Sequence, residues 1–184
     1  MGDLYEIILA GSGGQGLALA GVLLAQSFAE EDGKNVLQTE AYGISMRGGN
    51  SRAEILVSSD EINELRVTEP DVLLAMYQEA CDLFVDKVKE GGKIILDSTY
   101  VKTVPQTKGK LCFIPLTEEA RRLGRENVAN VIALGAIASI SGVISKASLE
   151  NTLKKRFSGP NAELNLKALN RGFELGEKQK RSEQ

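Results

Sequence analysis

The sequence predicts an α/β fold: a Rossmann-like open, mostly parallel sheet with flanking helices and a helical C-terminal region. Three observations predict this fold class. Short apolar runs typical of buried strands alternate with stretches of helical periodicity in the first half of the chain. A glycine-rich turn directly follows the first apolar run. From Thr117 onward the pattern is helical.

The chain opens with a strand, a glycine-rich turn and a helix. Residues 5–10 form a short apolar run that favours a buried strand, and residues 17–31 carry apolar side chains at helical spacing before Asp32-Gly33. A second short strand is predicted at residues 35–39. This order predicts a βαβ unit with parallel strands and a right-handed crossover.

The middle of the chain departs from a simple βαβ repeat. Residues 41–52 contain three glycines and no helical stripe, so we expect a loop there. The elements predicted after this loop are strands at residues 53–58, 72–76, 93–97 and 111–114 and a helix at residues 80–88.

Helices are predicted for the last third of the chain. Thr117 is the expected N-cap of the first one, with Glu118 and Glu119 in its first turn. The remaining predicted helices cover residues 127–144, 148–157 and 161–175, and residues 175–184 are expected to form a frayed tail. Because the sequence has no internal repeat or linker, residues 1–184 are expected to form a single domain.

The composition excludes several classes of function. The 184 residues carry a formal net charge of −3 and include no histidine and two cysteines. The lack of histidine excludes a Ser-His-Asp triad, a Cys-His dyad and a histidine-ligated zinc site. Two cysteines are too few for an ordinary iron–sulfur cluster, and the acidic charge balance argues against general nucleic-acid binding.

The composition also indicates where the protein works. Cys81 and Cys112 are expected to be buried, reduced thiols, which fits the cytoplasm. No signal peptide is recognisable, and the longest apolar stretch is shorter than the roughly 20 residues that span a bilayer. We therefore expect a soluble cytoplasmic protein with no membrane partner.

The glycine turn has the spacing of a dinucleotide-binding motif. Gly11, Gly13 and Gly16 follow the pattern G-x-G-x-x-G between a strand and a helix, and free amides at a helix start favour an anion. Glu40, 24 residues after Gly16, is a candidate for binding ribose hydroxyls. The turn alone leaves two interpretations open: an NAD(P)- or FAD-binding site, or a glycine turn that only permits close packing of strand and helix.

The loop at residues 41–52 adds a second candidate feature. Arg47 lies there between Tyr42-Gly43 and Gly48-Gly49, near the expected carboxyl edge of the sheet. Ligands of open α/β sheets bind at that edge, and a guanidinium suits a carboxylate, a phosphate or an acidic partner. The alternative is that Arg47 forms a salt bridge within the chain.

Taken together, these features resemble the gamma subunit of the 2-oxoacid:ferredoxin oxidoreductases, a unit also fused as an internal domain in single-chain pyruvate enzymes. The resemblance runs from about residue 4 to residue 175. It rests on motifs in a fixed order, namely G-x-G-G-Q-G at residues 11–16 with Ala20-Gly21, Tyr42-Gly43 with Arg47-Gly48-Gly49, Pro70-Asp71, and Asn130 with Leu134-Gly135-Ala136. Ser45 departs from the family pattern, in which many members carry an acidic residue two positions before the arginine.

The resemblance implies a Rossmann-like subunit, inactive by itself, of an enzyme that oxidatively decarboxylates a 2-oxoacid with coenzyme A. The products are an acyl-CoA, carbon dioxide and reduced ferredoxin. Thiamine diphosphate and the iron–sulfur clusters are expected on partner subunits, while the resemblance leaves open whether coenzyme A contacts this chain. The length is near that of the 2-oxoglutarate and branched-chain members whose gamma subunit is a separate small chain, which favours 2-oxoglutarate as the substrate, with pyruvate and indolepyruvate as alternatives.

The resemblance also implies that both loops face the thiamine and coenzyme A region. Arg47 would supply positive charge there, and Tyr42 and Asn130 would shape the contact; no catalytic residue and no metal ligand is expected in this chain. The candidate cofactor-binding residues are Gly11, Gly13, Gly14, Gln15, Gly16, Tyr42, Gly43, Arg47, Gly48, Gly49 and Asn130. The competing hypotheses are a free-standing NAD(P)- or FAD-dependent oxidoreductase and a purely structural module.

Overall fold

A computed structural model describes residues 4–42 and 49–182. Its centre is a six-stranded sheet with the strand order β2-β3-β1-β4-β5-β6. The strands are β1 (Tyr5–Ser12), β2 (Asn35–Tyr42), β3 (Asn50–Ser58), β4 (Val72–Ala75), β5 (Lys93–Asp97) and β6 (Lys110–Ile114). The fold class is the predicted one, because most strands are parallel and helices cover the sheet.

Helices pack on both faces of this sheet. In the described part of the chain they are α1 (Leu17–Gln26), α2 (Gln78–Phe84), α3 (Leu116–Arg122), α4 (Ala129–Ser141), α5 (Lys146–Arg156) and α6 (Gly159–Ser182). A π-helical turn, Ser27–Glu31, extends α1 to the predicted end of that helix. None of the helices in these residues is long and apolar enough to cross a membrane.

The strand β3 runs against its neighbours. It pairs antiparallel with β1 on one side and with β2 on the other, whereas β1, β4, β5 and β6 pair in parallel. The strands β1 and β2 therefore point the same way, as the predicted βαβ unit requires, but β3 lies between them. The predicted loop at residues 41–52 is wrong at both ends, because β2 continues to Tyr42 and β3 begins at Asn50. The end of β2 and the start of β3 lack the apolar pattern of a strand, and they are stabilised by pairing between the two strands.

The two faces of the sheet carry separate apolar cores. The larger core packs Ile7, Leu9 and their neighbours against α1, α4, α5 and α6. The smaller core packs Ile8 and Ala10 against α2. Residues 129–140 of α4 are all buried, because α4 lies between the sheet and α6.

Several helix ends differ from the sequence predictions by a few residues, and those of α3 and α6 differ for reasons that the structure shows. Thr117 is not the N-cap of α3: Pro115 occupies that position, and the Thr117 hydroxyl instead donates a hydrogen bond to the buried carboxylate of Asp97. The helix α6 continues past Leu175 to Ser182, where the sequence predicts a tail. Its last turns pack on α4, since Gly176 is buried and the Ser139 hydroxyl donates to the Glu177 carboxylate at 2.8 Å.

Candidate functional site

A crevice between β1 and β4 defines the candidate site. These neighbouring strands are parallel, and Met76, directly after β4, donates its backbone N–H to the Ala10 carbonyl at 2.9 Å. The helix after β1 packs in the larger core, whereas the helix after β4 packs in the smaller one on the opposite face. Open α/β sheets bind ligands at such a switch point, at the carboxyl ends of the strands. The predicted glycine turn lies at this position.

Two glycines give the turn its shape. Gly14 has a φ of 92° and Gly16, the N-cap of α1, has a φ of 72°. Both values lie in the left-handed region, which side chains with a β-carbon rarely adopt. A β-carbon at Gly14 would have nothing within 4 Å, so the backbone there is open to an approaching group.

Gln15 ties the turn to both strands. Its Oε1 accepts a hydrogen bond from the Ser12 backbone N–H at 2.7 Å, and its Nε2 donates to the Met76 carbonyl at 3.1 Å. A β-carbon at Gly11 would overlap Gln15 Oε1. Gly11 lies within β1 and does not have a positive φ, so the Gln15 side chain, and not the tight turn expected from the sequence, requires a glycine there.

Asn130 fixes the other end of the turn. Its side chain is buried at the start of α4, where Nδ2 donates to the Gly16 carbonyl at 2.9 Å. Its Oδ1 accepts from the Val131 backbone N–H at 2.8 Å. The structure thus brings Asn130 to the glycine turn across 114 positions of sequence.

The two predicted loops meet through their backbones. The Gly13 N–H donates to the Gly49 carbonyl at 2.9 Å, which joins the glycine turn to the residue before β3. Tyr42, the last residue of β2, pairs with Ser51 in the antiparallel ladder. The other candidates of this loop, Gly43, Arg47 and Gly48, lie outside the described residues, as does Ser45.

Close packing of helix and strand depends on a different glycine from the one that the motif suggests. A β-carbon at Gly21 in α1 would lie 2.7 Å from the Ala53 β-carbon in β3, so Gly21 permits this approach. A β-carbon at Gly16, the third glycine of the pattern, would instead lie 2.6 Å from the Asn130 side-chain nitrogen. The pair Ala20-Gly21 therefore has a packing reason that spacing alone does not reveal.

Glu40 does not occupy the place that a dinucleotide-binding acid requires. It is exposed on the edge strand β2, where it accepts a hydrogen bond from Gln38 Nε2 at 3.1 Å. The antiparallel strand β3 separates β2 from β1, whereas the ribose-binding acid of a Rossmann site follows the strand beside the glycine turn. This arrangement weakens the NAD(P) or FAD interpretation.

Two cavities lie on either side of the glycine turn. One, of about 210 Å³, is lined by Gly11, Arg52 and Phe84 among others, and the second, of about 240 Å³, by Gly14 and Thr117 among others. In the first cavity the Arg52 Nε lies 2.9 Å from Glu54 Oε1, and the guanidinium carbon lies 5.4 Å from the centre of the Phe84 ring. Sequence reasoning missed Arg52, although its alternation with Glu54 along β3 places both side chains on one face of the sheet.

A second charged group borders the 240 Å³ cavity. Arg121 contacts Glu126 through Nε at 2.8 Å and donates to the Tyr100 hydroxyl from Nη2 at 2.8 Å. The hydrogen bond from Arg121 lowers the pKa of the Glu126 carboxyl below its ordinary value. Glu126 is thus an ionised carboxylate at neutral pH rather than a proton donor.

Metal binding has no support in the residues at 4–42 and 49–182. Within these ranges no group of three or more His, Cys, Asp or Glu side chains could hold a metal ion. Neither Cys81 nor Cys112 forms a disulfide, and both are buried, as predicted.

Comparisons with known proteins match the chain over nearly its whole length. The model of the family "Pyruvate ferredoxin/flavodoxin oxidoreductase" matches residues 6–175. The 2-oxoglutarate synthase subunit KorC of Methanocaldococcus jannaschii is 36% identical over 173 residues, which cover 92% of each chain. The crystal structure of the gamma subunit of a keto/oxoacid ferredoxin oxidoreductase from Geobacter sulfurreducens is 39% identical, with a TM-score of 0.88 and coverage of 96% of this chain and 98% of that one.

A further structure has the same fold inside a longer chain. It belongs to the 2-oxoglutarate:ferredoxin oxidoreductase from Magnetococcus marinus, with a TM-score of 0.85 and 24% identity. The match covers 95% of this chain and 31% of that one. At this identity the match establishes only that the fold is shared.

The chain therefore belongs to the pyruvate ferredoxin/flavodoxin oxidoreductase family, as a gamma-type subunit of the 2-oxoacid:ferredoxin oxidoreductases. This confirms the resemblance on which the sequence prediction rests. It also favours an oxidoreductase subunit over a free-standing NAD(P)- or FAD-dependent enzyme.

Proposed function

We propose that this chain is the gamma subunit of a 2-oxoglutarate:ferredoxin oxidoreductase. The enzyme would oxidatively decarboxylate 2-oxoglutarate in the presence of coenzyme A, releasing carbon dioxide and succinyl-CoA and passing the electrons to ferredoxin. The observation that carries the choice of substrate is the end-to-end similarity to the M. jannaschii 2-oxoglutarate synthase subunit. Pyruvate and indolepyruvate are the substrates against which this choice has to be tested.

The role proposed for this chain is to present one edge of its sheet to coenzyme A or to the thiamine-binding subunit. Two described features support this role: Gly14 is open to approach, and the Gly13–Gly49 hydrogen bond joins the two loops into one surface. Turns with left-handed glycines expose backbone amides, which suit phosphate or carboxylate groups. The M. marinus enzyme was solved with 2-oxoglutarate, coenzyme A and succinyl-CoA bound.

The candidate cofactor-binding residues divide into two groups under this proposal. Gly11, Gly13, Gly14, Gln15, Gly16, Gly49 and Asn130 form or hold the glycine turn in the described part of the chain. Tyr42, Gly43, Arg47 and Gly48 would form the second loop. Arg47 remains the residue proposed to meet a phosphate of coenzyme A or a carboxylate of a partner subunit.

The other cofactors are proposed to reside on partner subunits. A cluster typically needs four thiolates, and this chain has two cysteines, both buried in the fold. Thiamine diphosphate and the iron–sulfur clusters would therefore come with the other chains of the complex, through which ferredoxin would be reduced. The sparse cysteine content keeps the cytoplasm as the predicted location.

Reconstitution tests this function. The genes adjacent to this one would be co-expressed with and without it, and each purified complex assayed for ferredoxin reduction with coenzyme A and 2-oxoglutarate, pyruvate or indolepyruvate. We expect activity only with the chain present and the highest kcat/KM with 2-oxoglutarate. Equal activity without the chain would contradict the subunit role, and a preference for another 2-oxoacid would contradict the substrate.

Calorimetry on the isolated chain tests the alternative. Titration with coenzyme A, NAD and FAD should give no tight binding of either dinucleotide, because the crevice of the glycine turn is occupied by Gln15. Tight binding of NAD or FAD to the chain alone would contradict the proposal.

A further inference from the structure

The crevice at the switch point is filled by a side chain of the glycine turn itself. Gln15 bridges Ser12, at the end of β1, and Met76, directly after β4, by using one acceptor and one donor of its carboxamide. Its Oε1 also occupies the space beside Gly11 that a β-carbon would take. In a classical dinucleotide site the second glycine of this pattern lets a pyrophosphate approach the backbone. Here a protein carboxamide lies at the strand ends from which that approach is made.

We propose that Gln15 is a positioning residue: through its hydrogen bonds to the two strand ends it holds the open backbone of Gly14 where coenzyme A approaches it. This inference rests on the proposed function. The turn has three ties, through Gln15 to the strand ends, through Asn130 to Gly16, and through Gly13 to Gly49. Gly14 lies between these ties and is open.

Because Gln15 fills this crevice, the glycine spacing typical of a dinucleotide-binding turn does not indicate that a dinucleotide binds here. With Gln15 between β1 and β4, the space for a ligand lies in two cavities, one beside Gly11 and one lined by Gly14 and by Gln15 itself. A ligand that uses either cavity meets the outer surface of the turn. Its binding then depends on where the turn holds the open backbone of Gly14.

A double-mutant cycle in the full chain tests whether Gln15 holds the turn. The added β-carbon of Gly11→Ala would displace the Gln15 side chain, and Gln15→Ala would remove it. Each variant should accelerate hydrogen exchange at the Ser12 amide about tenfold, the effect of losing roughly one net hydrogen bond. Because both act through the same contact, the double variant should exchange no faster than either single one. Additive effects, or unchanged exchange in Gln15→Ala, would overturn the inference.

Kinetics of the assembled complex test whether holding the turn matters for the ligand. Gln15→Met keeps the length of the side chain and removes both hydrogen bonds, and Gln15→Glu keeps the acceptor for Ser12 and loses the donor to Met76. We expect the KM for coenzyme A to rise about tenfold in Gln15→Met and less in Gln15→Glu, with kcat within about twofold of wild type. Gln106→Met, an exposed position, is the matched control and should leave both constants unchanged.

The outcomes of this experiment separate the inference from the function on which it rests. An unchanged KM in Gln15→Met, with faster exchange at Ser12, would overturn the positioning role. A fall in kcat as large as the rise in KM would also overturn it, because the side chain would then act in the reaction itself. A wild-type complex with no coenzyme A-dependent activity would contradict the proposed function, and Gln15 would then be judged on exchange alone.

Discussion

Gly172 of α6 faces the carbonyl oxygen of Ile132 in α4 so closely that a β-carbon at Gly172 would overlap it. The contact is reciprocal along the helix pair, since a β-carbon at Gly135 in α4 would overlap the Leu169 carbonyl oxygen of α6. The two helices therefore meet with backbone against backbone. The helix α4 holds Asn130 against the glycine turn, and the close packing of α6 on α4 fixes the position of α4.

Gly172→Ala should destabilise the protein although alanine is the better helix former. The gain in helix propensity is about 1 kcal/mol, whereas overlap with a backbone carbonyl forces the helices apart and costs about 1 to 3 kcal/mol or more. We expect a net loss in the free energy of unfolding, measured by urea titration. The control is Lys167→Ala on the exposed side of α6, which should change it by less than about 0.5 kcal/mol. A gain in stability for Gly172→Ala would contradict the backbone contact.

Asp97→Asn should destabilise the start of α3. The Asp97 carboxylate is fully buried and accepts hydrogen bonds from the Thr117 hydroxyl, the Thr117 N–H and the Thr99 N–H. A carboxamide of the same shape would turn an NH₂ group towards at least one of these donors. The expected loss in the free energy of unfolding is about 1 to 3 kcal/mol, with exposed Asp86→Asn as the neutral control. Equal stability of the two variants would show that the hydrogen bonds contribute little.

Glu119 should make the stability of the protein depend on pH in the acid range. Its buried carboxylate contacts Arg171 Nε at 2.7 Å and Arg122 Nη1 at 2.6 Å. The hydrogen bond from Arg171, with the charges of both arginines, lowers the pKa of Glu119 below its ordinary value of 4.5. A lowered pKa in the folded state stabilises the protein above the unfolded pKa, and this stabilisation is lost as the pH falls through the folded pKa.

The measurement for Glu119 is urea unfolding of wild type and Glu119→Gln between pH 7 and pH 3. Both arginines are partly exposed, so we expect the variant to be less stable by about 1 to 2 kcal/mol at pH 7. The difference should shrink below pH 4.5 as the wild-type carboxylate takes up a proton. Glu174→Gln, an exposed position that also contacts Arg171, is the control. A difference that stays constant with pH would exclude the ion pairs as its cause.

Cys81 should react slowly with thiol reagents while the protein is folded. Burial, with a smaller contribution from Asp82, raises the pKa of its thiol from 9.0 to about 11. Since the thiolate is the reactive form, a shift of this size lowers its fraction at pH 8 about a hundredfold. The rate of labelling by an aromatic disulfide at pH 8 would be measured in a Cys112→Ala variant, folded and in guanidinium chloride. Equal rates in the two states would contradict the burial of Cys81.

Local sequence patterns predicted the elements whose own residues carry a clear apolar or helical signal. The bounds of β5, Lys93–Asp97, agree with the sequence prediction, because a short apolar run between polar residues is buried on both faces. The π-helical turn after α1 has no such signal, and the predicted helix simply includes it. Thr117 shows where local reasoning fails, since its hydroxyl bonds to Asp97, 20 residues away, instead of capping its own helix.

The sequence predicts which residues belong to the candidate site, but it does not predict how they contact one another in the fold. Spacing and resemblance identify Gln15 and Asn130, but their partners Met76 and Gly16 lie 61 and 114 residues away, and no pattern in the sequence reveals these contacts. The direction of β3 was equally hidden. The apolar centres of β2 and β3 were predicted as strands, but their ends at residues 41–42 and 50–52 and the antiparallel direction of β3 are defined only by pairing between β1, β2 and β3.

The reversed strand β3 gives this subunit a contact edge with two parts under different constraints. The glycine turn is bound by β4 and α4, so its residues cannot change without disturbing the core. The β3 side meets this turn at Gly49, through one backbone hydrogen bond from the Gly13 N–H to the Gly49 carbonyl, and the register of β3 is fixed by its ladder with β2. A side-chain change on the β3 side leaves this backbone hydrogen bond in place, whereas a change at Gln15 or Asn130 breaks a contact that holds the turn to the residue after β4 or to α4.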